Sequence, residues 1–113
     1  YLKHHWAVRP KMELLPSEYF KRQGFATFQE DAAGLDLAIS HDLVSNFMWA
    51  NDYPHHEGSW PHSAEAIERT MGELDDKSRA KVLGLNAAEV FNIPIPDRYL
   101  DHEDARASAS LIA

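Results

Sequence analysis

The chain has 113 residues, 44% of them apolar and 26% charged, with a formal net charge of −7, the make-up of one small globular unit with a modest core. Eighteen acidic side chains stand against eleven Lys and Arg with no basic stripe, which argues against nucleic acid as a partner, because phosphate recognition needs clustered cations. The longest apolar stretch, Phe47 to Ala50, is too short to span a bilayer, and no leader segment is expected from the opening residues. The absence of cysteine excludes disulfides, thiolate nucleophiles and thiolate metal sites. A cytoplasmic location is the default expectation. The chain opens on Tyr1 without Met, and the expectation is a piece of a longer polypeptide.

No internal repeat is present. Residues 1–16 are basic, aromatic and punctuated by proline, and read as loop or irregular helix. Ser17 caps a short turn, Glu18 to Gln23, that Gly24 ends. Gly24 to Phe28 is aromatic and β-branched and predicts a strand. Asp31 opens a helix through about His41, with Leu35, Ala38 and Ile39 on one face. Asn46 to Ala50 is an apolar run between polar residues, the pattern of a parallel strand buried on both faces. After a loop over 51–62, Ser63 caps a helix whose Ala64, Ile67, Met71 and Leu74 follow helical spacing. Asp75 and Asp76 end it and start another, which carries Val82 and Leu83 inward. Asn86, with Glu89 three residues on, predicts a capping box and a last short helix. From Pro94 the chain becomes polar and rich in Ala and Ser, and is expected as an outer tail or a disordered segment.

Strand–helix alternation points to a parallel sheet with right-handed crossovers. Two strands alone leave both sheet edges open and their apolar faces uncovered. A complete (β/α)8 barrel takes roughly 250 residues, so the pattern predicts part of something larger.

The chemistry concentrates where the second strand runs out. The apolar run passes straight into Asn51-Asp52, and in parallel α/β folds the carboxyl ends of the strands carry ligands and catalytic groups. A carboxylate there can bind a divalent metal or take a proton from water that the metal has acidified. Pro54 forces an exit from the strand, and His55, His56, Glu57 and Trp60 sit on the loop above.

Trp49-Ala50-Asn51-Asp52-Tyr53-Pro54-His55, followed by Glu57-Gly58-Ser59-Trp60-Pro61, resembles the last-strand motif of amidohydrolase-related proteins. Pro16-Ser17-Glu18-Tyr19-Phe20 and Phe25-Ala26-Thr27-Phe28-Gln29-Glu30-Asp31 resemble the segment around strand seven. Arg79-Ala80-Lys81-Val82-Leu83, Asn86-Ala87-Ala88 and Phe91 resemble the terminal helices. The likeness spans roughly residues 16–93, in order. It implies an α/β fold in which residues 1–93 are the C-terminal part of a (β/α)8 TIM barrel, its last two strands and following helices, with 94–113 a tail. It also implies that Asp52, at the end of strand eight, ligates a metal or activates water. Asn51 stands where the family usually has Ser or Thr. The implied cofactor is a divalent metal, zinc as the first choice, whose His ligands are expected upstream of this chain.

Plainer readings stand beside these. Asp52 can be a strand-end turn residue before Pro54, and His55 a solvated loop histidine rather than a substrate contact. Trp49 reads as core, whereas Trp60 either lines a substrate pocket or packs the loop. His56 and His62 read as surface residues. His4 and His5 are adjacent and lack the i, i+4 spacing of a chelating pair. Glu30 and Asp31 read as a helix cap, and the charges from Glu73 to Lys81 as a solvated helix face.

The expected function is a metal-dependent hydrolase of small molecules, catalysed and metal-ligated through Asp52, with His55 and Trp60 binding substrate. A non-oxidative decarboxylase of the same family is one alternative, and a non-catalytic interaction fragment is another. The chain alone is expected to be inactive. Its partners are expected to be the rest of the barrel or a second copy, with no membrane and no nucleic acid.

Overall fold

The computed structural model describes residues 12–99. The chain runs α1 (Pro16–Gln23), β1 (Ala26–Phe28), α2 (Ala32–Ser40), β2 (Phe47–Trp49), α3 (Ser63–Met71), α4 (Asp76–Ala80) and α5 (Asn86–Val90), with 3-10 turns at Val44–Asn46 and Asp97–Tyr99. The two strands pair in parallel, with Ala26 opposite Phe47, Thr27 opposite Met48 and Phe28 opposite Trp49, and α2 forms the crossover. The expected parallel order is therefore present, within somewhat shorter strands. Among the described residues no helix is long and apolar enough to cross a membrane.

The helix starts show where local chemistry departs from the sequence pattern. Helix α1 begins at Pro16, whose fixed φ and missing N–H suit the first helical position. Its cap is not Ser17: the Leu15 N–H donates to Glu18 Oε2 at 2.7 Å, so the carboxylate one turn in satisfies the open end. Helix α2 is capped as expected, Asp31 Oδ1 accepting from the Gly34 N–H at 2.8 Å. Its neighbour Glu30 pairs instead with Arg69 of α3 at 3.0 Å. Ser63 is the first residue of α3 rather than its cap, and its hydroxyl meets Ser59 Oγ at 3.2 Å. Asp75 caps α4 by accepting from the Ser78 N–H at 2.9 Å.

The largest departure is at Asn86. No capping box forms there; α4 and α5 are joined by a π-helical turn, Lys81–Leu85, with right-handed helical dihedrals on both sides. One helix thus runs from Asp76 to Val90. Asn86 is 3% exposed and turns its amide inward, donating to Val44 O and Phe47 O, both at 2.8 Å. Asn46, also 3% exposed, donates to Lys21 O at 2.9 Å, Gly24 O at 2.8 Å and, more weakly, Phe20 O at 3.3 Å. These amides bind carbonyls at the end of α1 and at the start of β2, adding to the backbone bonds that Phe20 O and Val44 O already accept from the Gly24 and Phe47 N–H groups. Together they tie both α1 and the final helix to the amino end of β2.

The core is built on Leu35, Met71 and Val82, with Phe28, Val44, Trp49, Ile67, Leu74 and Leu83 packed against it. Met71 and Val82 are fully buried, and each such side chain contributes about 1.5–3 kcal/mol by leaving water. On α3 the buried small residue is Ala66, not Ala64, and on α2 Leu35 and Ala38 are buried while Ile39 is exposed. Met48 is buried, but Phe47 and Trp49 are only half-buried. The expected double-sided burial of β2 is thus partial, since β1 is its sole neighbour among the described strands. Leu83, Ala88, Ile93, Ile95 and Tyr99 line an open apolar groove between the last helix and the segment after it. No residue of the loop 51–62 lines this groove.

Candidate functional site

The β ladder ends one residue beyond β2, where the Ala50 N–H donates to Phe28 O at 2.9 Å. Asn51 then folds back on the chain: its Oδ1 accepts from the Tyr53 N–H at 3.1 Å, a side-chain-stabilised turn of the kind Asn favours. Asn51 thus acts as a hydrogen-bond acceptor within this turn. Asp52 follows with φ 57°, in the left-handed region that Asp tolerates better than most residues. This sharp change of direction takes the chain out of the sheet and leaves the Asp52 side chain 58% exposed at the carboxyl end of the strand.

The loop beyond it is closed by its own backbone. The His55 N–H donates to Asp52 O at 2.8 Å, the Gly58 N–H to His55 O at 3.0 Å and the Ser59 N–H to Asn51 O at 3.0 Å. Gly58 lies where these strands of chain meet. A Cβ there would sit 2.8 Å from Asn51 O, 2.9 Å from His55 O and 3.0 Å from Asp52 O, so no larger residue fits without opening the loop. Gln29, one residue past β1, donates its Nε2 to Glu57 O at 2.8 Å. The sequence reading assigned Gln29 and Gly58 no role of their own; a polar side chain directly after a strand and a glycine inside a His- and Trp-rich loop were the available signals.

This fold brings Asp52 and His55 together, with His55 Nδ1 3.4 Å from Asp52 Oδ2 and 4.0 Å from Glu57 Oε2. The rings of His55 and His56 lie 4.5 Å apart. Trp60 is 61% exposed and stands edge-on to Tyr53 at 5.5 Å, so it packs within the loop while keeping most of its surface open. Trp49 packs against the core, as expected, and its Nε1 donates to Gln29 O at 2.9 Å. His62 is a surface residue whose Nδ1 lies 3.8 Å from Glu65 Oε1. His4 and His5 lie outside the described residues.

A mononuclear zinc site takes three or four protein donors. Among the described residues no group of three or more His, Asp or Glu side chains is arranged to hold a metal. Asp52 and His55 offer one carboxylate and one imidazole, and both are half-exposed. The described residues therefore do not fit a complete metal site. A free carboxylate at a strand end can serve as a single donor of a larger set, or as a proton acceptor.

A search of curated proteins finds no match. A family model described as Amidohydrolase matches residues 1–93 of the 113. That family has the TIM-barrel fold and its members typically bind divalent metals. With more than half of its length matched, and with parallel strands joined by a helix, the chain belongs to the amidohydrolase family.

Proposed function

We propose that this chain forms the last two strands and closing helices of a (β/α)8 hydrolase barrel, and that Asp52 is the acidic residue at the mouth of its final strand. The observation that carries the proposal is the position of Asp52: an exposed carboxylate on the first turn beyond a parallel strand, beside His55 at 3.4 Å. Both outer edges of the two-stranded sheet are free for neighbouring strands among the described residues, which suits a place inside a larger barrel. Large apolar side chains such as Phe25, Leu37 and Ile39 are also exposed, as expected of surfaces that pack against further layers.

In this reading Asp52 either supplies one oxygen donor to a divalent cation, zinc as the first choice, or accepts the proton of the attacking water. A cation bound there would supply acidification of water and polarisation of the scissile carbonyl. His55 is within reach of the same space and would orient a polar substrate group, while Trp60 offers an exposed aromatic wall. Replacing Asp52 by Asn tests the assignment in the active enzyme, using a panel of chromogenic amides and esters and metal content per subunit. Loss of a general base is expected to cost on the order of 10²–10⁴-fold in turnover. Near-normal turnover in a folded, metal-loaded variant would remove Asp52 from the site.

A further inference from the structure

We propose that Gln29 is a positioning residue of this site: its carboxamide, at the carboxyl end of β1, fixes the loop that carries Asp52 and His55. The inference rests on the reading of Asp52 given above. The three backbone hydrogen bonds within 51–59 set the loop's internal shape but do not orient it on the sheet. The bond from Gln29 Nε2 to Glu57 O, 2.8 Å long and spanning 28 positions, ties it to the other strand.

Both ends of that tie are anchored. The backbone of Gln29 is held by Trp49, whose indole N–H donates to Gln29 O at 2.9 Å and whose ring packs against the core. At the far end, Glu57 is followed by Gly58, where even a Cβ would collide with the carbonyls of Asn51, Asp52 and His55. With so little free space, displacement of Glu57 is transmitted to the backbone of Asp52. Asp52 is itself in a left-handed conformation, which persists only where the surroundings hold it. Gln29 is thus a support that touches no reacting group and acts through the loop.

Amide hydrogen exchange by NMR on the active enzyme, followed at the residues of this chain, tests this directly. Gln29→Met, which keeps the length and apolar stem but removes the donor, should speed exchange of the Gly58 and Ser59 amides on the order of 3- to 10-fold, the effect of losing one hydrogen bond. The Ala50 amide, bonded to Phe28 O across the strands, should change by less than about twofold, since the ladder it belongs to is untouched. Gln29→Lys, which restores a donor of similar reach, should return most of the protection. Unchanged exchange at Gly58 and Ser59, an equal rise at Ala50, or no recovery with Lys would each overturn the inference. In the active enzyme a silent Asp52→Asn would instead overturn the site reading, leaving Gln29 as the fastening of an ordinary loop.

Discussion

The two ends of β2 carry polar residues for opposite purposes. At the amino end, Asn46 and Asn86 are each 3% exposed and use their amides to bind backbone carbonyls from distant segments. At the carboxyl end, Asp52 and His55 are half-exposed, and the Asp52 carboxylate approaches His55 Nδ1 at 3.4 Å. A buried amide whose N–H groups are bonded contributes to the fold. A carboxylate left open to solvent on a constrained turn adds little to stability, because water screens its interactions. The strand is thus fastened at one end and leaves polar side chains open at the other, where the proposed function places the chemistry.

Exchanging the two polar chemistries is the strongest way to break this comparison. Asn86→Asp keeps the shape but places a carboxylate against Val44 O and Phe47 O in a buried setting. It is expected to destabilise the chain by about 3–5 kcal/mol, as an uncompensated buried charge does, read by urea unfolding. A loss under about 1 kcal/mol would show that the amino end is not fastened through this amide. Met71→Ala removes the fully buried side chain at the centre of the core and is expected to cost about 2–5 kcal/mol in the same assay. Neither substitution alters a group at the carboxyl end of the strand.

Gly58→Ala sharpens the comparison from the other side. The added methyl meets three carbonyl oxygens at 2.8–3.0 Å, and opening the loop to admit it should cost about 1–3 kcal/mol. The accompanying change should be confined to amide shifts of residues 51–59, with the Ala50 amide unmoved.

Much of the fold was legible because apolar spacing reports it directly. Both strands, their parallel order, the Asp31 and Asp75 caps and the inward face of Leu35, Met71 and Val82 follow from period and capping chemistry. The Asn86 assignment failed for a physical reason. Asn-x-x-Glu has the same local pattern whether the Asn amide turns to its own helix or to a strand, and only the tertiary carbonyls of Val44 and Phe47 decide between them. Reading Asn86 as a helix start also hides the continuity of the helix, which runs on through the π-helical turn Lys81–Leu85. Ser17 is not the cap because the helix starts before it, at Pro16, which leaves Ser17 inside the first turn. At the site, Asp52 was visible as the polar end of an apolar run. Gln29 was not, because its partner lies 28 positions away.

The smallest expected effect lies outside both ends of the strand. Hydrogen bonds from Ser78 hold the Asp75 carboxyl below its usual 3.8. A depressed folded pKa means that this stabilisation is present above the unfolded value and is lost as pH falls through the folded one. Asp75→Asn preserves the cap but has no such titration, so its stability should fall less steeply than the parent's as pH is lowered below about 4, measured by acid unfolding. Identical acid limbs would indicate that the cap does not titrate with folding.

The most direct test of the divided strand is Asp52→Asn in the active enzyme, with turnover and thermal unfolding measured on the same preparation. The account predicts turnover reduced on the order of 10²–10⁴-fold, while the unfolding midpoint stays within about 2 °C of the parent, because a half-exposed carboxylate contributes little to stability. A lowered midpoint with retained turnover would contradict it, and would make Asp52 a turn residue that serves the fold.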